Sequence, residues 1–393
     1  MLNTYKKSTG LLLVILLCAI TAPVFAQDQT VREYPYLYKS TRAMGMGGAY
    51  TAIGGRVDTL FYNPAGLSNI PKDKGWEMNI LNVSAEVNKN ALSFTRDMQN
   101  AFDTGDLNNS GSSTDDQQIA INNVFNRYLG ENLHLRVADF TSFGKNFDSM
   151  AFGIGALGSA RLDAIPHQGF GPEGLLELNA DVTYGAVGGV SLPLGSGFFL
   201  GASAKFLHRE SVVHNFTPQE LVGNKDNFDR FFTDELRKTG DAVGFDAGAI
   251  WKFSQDSWWR PSAGLSVLNI GDLDFKDAGK IPMTVNVGFA VNPRITTFRS
   301  LLIGVDYVDI TKNYDQDKDM AKRIRYGAEL QLLDINPVEL SMRAGMYEGY
   351  PTFGADLRLF TFMFSYAMYS EEVGAYAGQD KDTRHLLTFN FGW

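Results

Sequence analysis

From about residue 76 to its last residue, the chain alternates apolar and other residues with a period of two. Val243, Phe245, Ala247, Ala249, Trp251 and Phe253 fall on one face, and Ala242, Gly244, Asp246, Gly248, Ile250 and Lys252 on the other. Met283, Val285, Val287, Phe289 and Val291 alternate with Thr284, Asn286, Gly288 and Ala290. Ile324, Tyr326, Ala328, Leu330 and Leu332 alternate with Arg323, Arg325, Gly327, Glu329 and Gln331. Successive side chains of a strand point to opposite faces, so this pattern predicts strands with one apolar and one wet face. In a soluble sandwich the apolar faces meet in a core. In an outer-membrane barrel they meet lipid, and the polar faces line the lumen.

About 14 such segments can be read, each near the length that crosses a bilayer as a strand. They lie near 76–87, 133–143, 147–160, 176–192, 197–213, 240–253, 259–270, 282–291, 300–311, 322–333, 337–347, 351–358, 360–370 and 384–393. The gaps after odd-numbered segments are long (88–132, 161–175, 214–239, 271–281, 312–321 and 371–383), with 348–350 the one exception. The gaps after even-numbered segments are short. Bacterial barrels combine long extracellular loops with short periplasmic turns, and an even strand count returns both termini to the periplasm. A sandwich has no reason to sort its loops by parity. The fold class predicted is all-β, a transmembrane antiparallel β-barrel of about 14 strands. Leu387, Phe389, Phe391 and Trp393 share one face of the last segment. This aromatic end is similar to the signal through which the barrel-assembly machinery recognises its clients.

The first residues obey a different rule. Lys6 and Lys7 precede the apolar stretch from Leu11 to Ile20, and Val24-Phe25-Ala26 follows before Gln27. This is the pattern of a cleaved signal peptide over 1–26, too short an apolar run to span a membrane comfortably. Cleavage there removes Cys18, the single cysteine, together with two of the 35 basic residues. That leaves 33 against 44 acidic ones, a net charge of −11 instead of −9. The acidic balance argues against a nucleic-acid partner, and the absence of further cysteines excludes a disulfide framework. A mean hydropathy of −0.14 excludes a bundle of membrane helices but suits a barrel, where alternate residues face lipid. The 28 Phe and 16 Tyr supply that face and its interfacial girdles.

Residues 27–75 precede the first strand and are rich in glycine. They carry Arg42-Ala43-Met44-Gly45-Met46-Gly47-Gly48-Ala49-Tyr50 and then Phe61-Tyr62-Asn63-Pro64-Ala65-Gly66-Leu67. The Gly45 and Gly47 spacing departs from a dinucleotide fingerprint, and no strand precedes it. Glycine permits close backbone packing, and Asn-Pro before Ala-Gly is turn chemistry. A compact segment ahead of a closed barrel has a place inside the lumen as a plug. These two motifs resemble the N-terminal hatch of the FadL-type outer-membrane transporters of hydrophobic compounds. The same opening occurs in PorV-type secretion subunits and in TraF-like barrel proteins, and the tail from Tyr369 to Gln379 looks closer to the TraF-like group. Arg42, Gly45, Gly47, Gly48, Asn63, Pro64, Ala65 and Gly66 are the hatch positions that the resemblance marks.

The resemblance implies a hydrophobic small-molecule ligand such as a long-chain fatty acid. It would rest on extracellular loop helices, enter the lumen past the hatch, and leave sideways through a kinked strand. Phe228, Phe231, Phe232 and Leu236 recur at helical spacing within 225–239, where a ligand-contacting helix is expected; packing of the loop on the barrel rim is the plainer alternative. Ile121, Val124, Phe125, Tyr128 and Leu129 predict a second amphipathic helix near 114–130. Gly153, Gly155 and Gly158 of the third segment mark a weakened strand, either a lateral opening or room for the plug. Arg325, Arg343 and Arg384 are the candidates for meeting a ligand carboxylate, although buried charges need partners and most lumen charges should tie wall to hatch. No catalytic motif, cofactor site or metal site is read. His134, His167, His208, His214 and His385 lack metal-ligand spacing, and the acidic tracts near 315–319 and 379–382 lack that of a calcium loop. Lipid and lipopolysaccharide of a Gram-negative outer membrane are the expected surroundings. A scaffold or adaptor role in secretion, conjugation or surface assembly, with a protein partner, is the alternative to transport.

Overall fold

The computed structural model describes residues 33–73, 75–103, 114–169, 174–224, 230–296, 298–314, 319–335, 337–374 and 376–392. The expected signal peptide, Phe228 and the terminal Trp393 lie outside them.

Fourteen antiparallel strands close into one barrel, each paired with its neighbours in sequence and the first with the last. They are β1 Trp76–Asn88, β2 Leu133–Phe147, β3 Met150–Gln168, β4 Gly174–Pro193, β5 Phe198–Phe216, β6 Lys238–Lys252 and β7 Pro261–Leu268. They continue with β8 Thr284–Val291, β9 Ser300–Tyr307, β10 Ile324–Ile335, β11 Val338–Tyr347, β12 Tyr350–Leu359, β13 Phe362–Glu372 and β14 Lys381–Gly392. Each coincides with one of the segments read from the alternation. The apolar face looks outward: Val243, Phe245, Leu265, Phe289, Tyr326, Phe364 and Leu387 are exposed, while Lys205, Asp246, Arg325, Arg343 and Arg384 are buried inside. So large a continuous apolar exterior is not found on a soluble protein and fits a bilayer.

Boundaries differ most in β2 to β5, which run for 15, 19, 20 and 19 residues against eight in each of β7, β8 and β9. Their far ends are covered on both faces, so alternation fades there; Asn179, Ala180 and Asp181 are all buried in succession. The cover comes from the long loops. Helices α2 (Lys89–Asp103) and α3 (Thr114–Arg127) fill the first, α1 being the single turn Thr41–Gly45 of the N-terminal segment. The α2 helix was not anticipated, although Ala91, Phe94, Met98 and Ala101 carry its spacing. Of the helix expected over 225–239, residues 225–229 lie outside the described residues and Phe231–Leu236 form a π-helical turn; a short helix, α4 (Pro218–Gly223), opened by a Thr217/Glu220 capping box, precedes it. Two other loops fold over the lumen. A small hairpin, Leu273–Asp274 with Lys280–Ile281, buries Leu273, Phe275 and Ile281. In the 373–380 loop, the Glu372 carboxylate accepts hydrogen bonds from the backbone N–H groups of Gly374, Gly378, Gln379 and Asp380 at 2.7–2.9 Å.

The barrel wall has a fault in β1. Its register with β2 passes from Asn79↔Ser142 to Val83↔Asp139, and its register with β14 shifts between Asn79 and Leu81. One extra residue leaves Ile80 and Leu81 both exposed on the outside, a β-bulge that interrupts the ladder. Asp139, on the outward face of β2, repairs it: its carboxylate accepts from Asn82 N at 2.9 Å and from Thr141 Oγ1 at 2.9 Å. Thr141 Oγ1 also lies 3.0 Å from the Ile80 carbonyl. Substitution Asp139→Ala strands these donors at a lipid-facing position and is expected to cost about 1–3 kcal/mol. Urea unfolding of the protein refolded into lipid vesicles measures it.

Candidate functional site

Residues 33–73 run through the barrel interior, and the strands around them are shaped to receive them. The turn after α1 presses its backbone against β10 and β11: a Cβ on Gly47, whose φ is +65°, would stand 2.4 Å from the Met346 carbonyl. Gly45 meets Gly354 of β12. Asn63 caps a 3-10 turn, Pro64–Asn69, by accepting from Ala65 N at 3.1 Å, with Pro64 at the first position. Its amide donates to the Thr51 carbonyl at 2.7 Å and to the β6 carbonyl of Ala249 at 3.2 Å. Pro64 and Ala65 lie against Gly201 of β5, and Gly66 against Gly54. The polar glycine-bearing faces of the strands thus have a physical reason, the close approach of a second backbone.

Charges tie this segment to the wall at two levels. In the middle, Arg42 makes a fork of two 2.7 Å bonds to Glu329, while Arg343 bridges Glu329 at 2.6 Å and Asp356 through two 2.7 Å bonds. Arg56 adds a 2.9 Å bond to Asp356. Toward the long-loop end, Lys39 lies 2.7 Å from Glu33, 2.5 Å from Glu371 and 3.6 Å from Glu86. Arg384 is held between Glu33 at 2.8 Å, Asp382 at 2.7 Å and Glu86 at 3.3 Å. Burial by itself would raise the Glu33 carboxyl, but Arg384 and Lys39 hold it well below the usual carboxylate range. Burial likewise opposes the Lys39 charge, and Glu33, Glu371 and Glu86 overcome it. Glu33, His134 and Asp163 are the one trio among the described residues close enough to share a metal ion. His134 already meets Glu86 at 2.9 Å and Asp163 at 2.5 Å, so the trio is a node of this ion-pair network.

Two cavities lie on either side of the segment. The one toward the long loops is small, about 70 Å³, and is walled by Tyr34, Tyr36, Tyr38, Phe61, Tyr62 and Tyr314 with Lys205, Arg323 and Arg325 among the polar groups. Tyr38, Phe61 and Phe140 form a mutually packed aromatic trio with ring centres 4.8–5.6 Å apart. Asn82 of the β1 fault donates to Tyr38 Oη at 3.1 Å behind it. The cavity at the short-turn end is about 750 Å³ and is lined by Arg42, Arg56, Lys252, Arg260, Arg343 and Arg358, with Glu77, Glu329, Asp334 and Glu339.

Solved structures with this architecture exist, although no protein-family model matches the sequence and no curated protein matches it. A TodX monoaromatic hydrocarbon channel in a deltaS2 mutant form superposes with a TM-score of 0.53 at 13% identity, covering 91% of this chain and 99% of the other. The toluene transporter TbuX of Ralstonia pickettii gives 0.49 at 11% over 91% and 99%. A Pseudomonas aeruginosa FadL homologue gives 0.40 at 10% over 90% and 98%. The chain has the FadL-type barrel fold.

Within this FadL-type barrel the remaining predicted residues take definite places. Phe231 and Phe232 are half-buried and Leu236 is buried, all in one cluster with Phe216, Ile121, Val124 and Phe125. Phe232 stacks on Phe216 at 5.4 Å. They pack against one another, and Phe228 falls outside the described residues. Gly153 and Gly155 face inward, under Leu67 and Phe140, and Gly158 faces open space outside. The ladders on both edges of β3 run unbroken from Ala151 to Ala164; Gly153 makes room for Leu67 of the segment and Gly155 for Phe140 of β2, while the register break lies in β1. Of the three arginines named from sequence, Arg343 and Arg384 are enclosed by carboxylates, and Arg325 alone lines the small cavity. Arg323, Lys205 and the tyrosines beside it were missed. Period-two reading marks which face a residue takes, and it carries no information on which charges meet across a lumen.

Substitution Lys39→Met removes the cation from among three buried carboxylates and is expected to weaken docking of the segment by about 3–5 kcal/mol. Limited proteolysis reads this as faster cleavage within 33–73. Lys72→Met, whose pair with Asp148 is exposed, leaves the rate unchanged. The depressed Glu33 carboxyl contributes fully above the ordinary value of about 4.3 and is lost only as pH falls through its lower folded value. Glu33 therefore adds no pH dependence to this protection between pH 8 and pH 5.

Proposed function

We propose that this protein lies in the outer membrane of a Gram-negative bacterium and admits small hydrophobic compounds by passive diffusion, with residues 33–73 as its hatch. The observation that carries this reading is the aromatic trio Tyr38–Phe61–Phe140, packed between the small cavity that Tyr38 and Phe61 line and the β1–β2 pair, where Asn82 beside the bulge bonds Tyr38. The straight path to the periplasm runs instead through a vestibule whose lining, besides apolar side chains, includes six cations and four carboxylates. An apolar solute gains nothing by desolvating such a surface, so the favourable exit is sideways, between β1 and β2. The neighbours of the same fold are named as channels for monoaromatic hydrocarbons and toluene, which is consistent with this reading. A cavity of about 70 Å³ is far below the 300–1,000 Å³ of drug-sized pockets. It favours ring-sized compounds over long-chain fatty acids, which need a larger opening of the hatch.

Uptake of labelled toluene and labelled palmitate into cells with and without the gene tests the reading. Toluene uptake is expected to depend on the gene. A double variant, Ile80→Cys with Thr141→Cys, staples the seam; oxidation should abolish gene-dependent uptake and reductant should restore it. Uptake of both compounds that ignores the gene would remove transport, and a stable protein partner recovered with the barrel would then favour the scaffold alternative.

A further inference from the structure

The small cavity is not an indifferent apolar hole. Arg323 is 2% exposed, and its Nη1 bonds the Asp309 carboxylate at 2.5 Å and the Asp309 carbonyl at 2.7 Å. Among the described residues, its Nε and Nη2 have no hydrogen-bond partner, and neither does Arg325 Nε. Both arginines line the cavity. Arg325 is fixed from two sides, stacked on Tyr347 at 4.1 Å and bonded to Glu348 at 3.2 Å. Nε and Nη2 share one edge of a guanidinium, the edge that presents two parallel N–H bonds to the two oxygens of a carboxylate. A buried donor left without an acceptor is costly. A pure hydrocarbon in this cavity would leave all three donors unmet, whereas a carboxylate would meet them while its ring lay among Tyr36, Phe61 and Tyr62.

We infer that the cavity is a binding site for a small aromatic carboxylate, its carboxylate on the Arg323 edge with Arg325 Nε beside it. This inference rests on the uptake reading and narrows it: the preferred solute has an aromatic ring and an acid group, within a space too small for a long acyl chain. The Asp309 pairing leaves the fork free, because it occupies Nη1 alone.

The test is calorimetric titration of the full-length mature protein in lipid nanodiscs with benzoate, benzyl alcohol and toluene. Benzoate is expected to bind ten-fold or more tighter than benzyl alcohol. Arg323→Lys keeps the charge beside Asp309 but lacks the fork, and Arg325→Lys keeps its charge beside Glu348 but lacks Nε. Both are expected to lose most of that preference while heat-modified gel migration stays that of the folded barrel. Equal binding of benzoate and benzyl alcohol, no benzoate binding because water already occupies the donors, or a preference kept by both variants would each overturn the inference. If toluene uptake depends on the gene while the benzoate preference is absent, the inference falls and the uptake reading stands. If the preference is present and no solute is taken up, the uptake reading falls and the site stands.

Discussion

A barrel of this width confronts one electrostatic constraint. Closing 14 strands turns their polar faces inward, and the charges they carry must be met there without bulk water. Arg343, Glu329 and Asp356 on the wall are completed by Arg42 and Arg56, and Glu371, Glu86 and Arg384 are completed by Lys39 and Glu33. The N-terminal segment is therefore the counter-charge of the barrel as much as its filling. Breaking one partner leaves the other buried and bare, so wall and segment are coupled more tightly than their apolar contact alone would make them.

The same coupling limits how the segment can move. Held at two levels by ion pairs, it shifts as a whole only at high cost, and local displacement of an aromatic cluster is less demanding than extraction of a charged segment. The fault in β1 lies where the wall depends on a side chain, Asp139, instead of on its own ladder. Sheet closure removes edges everywhere except at such bulges.

The strands were legible because lipid on one side and a wet lumen on the other impose a period of two on every crossing, and loop parity added their orientation. Legibility failed where that asymmetry ends. The outer reaches of β2 to β5 are covered on both faces, and the Phe231–Leu236 turn owes its form to Phe216 and the neighbouring helices more than to its own spacing. The glycines of β3 had two readings in the sequence, and no local pattern foretold that Gly153 would lie under Leu67 and Gly155 under Phe140. Arg325 and Arg323 sit on one polar face like many other charges. What distinguishes them is which of their nitrogens lack partners, a property of distant segments meeting in space.

The Glu372 carboxylate gathers four backbone N–H groups of the 373–380 loop and the Tyr350 hydroxyl. Because main-chain amides, common to all residues except proline, supply most of these contacts, the loop's path is written in its backbone and not in its exposed side chains. Tyr376, which projects outward, can be exchanged without altering that path. The exposed side chains of this loop can thus vary while its shape is inherited largely from one buried carboxylate, that of Glu372.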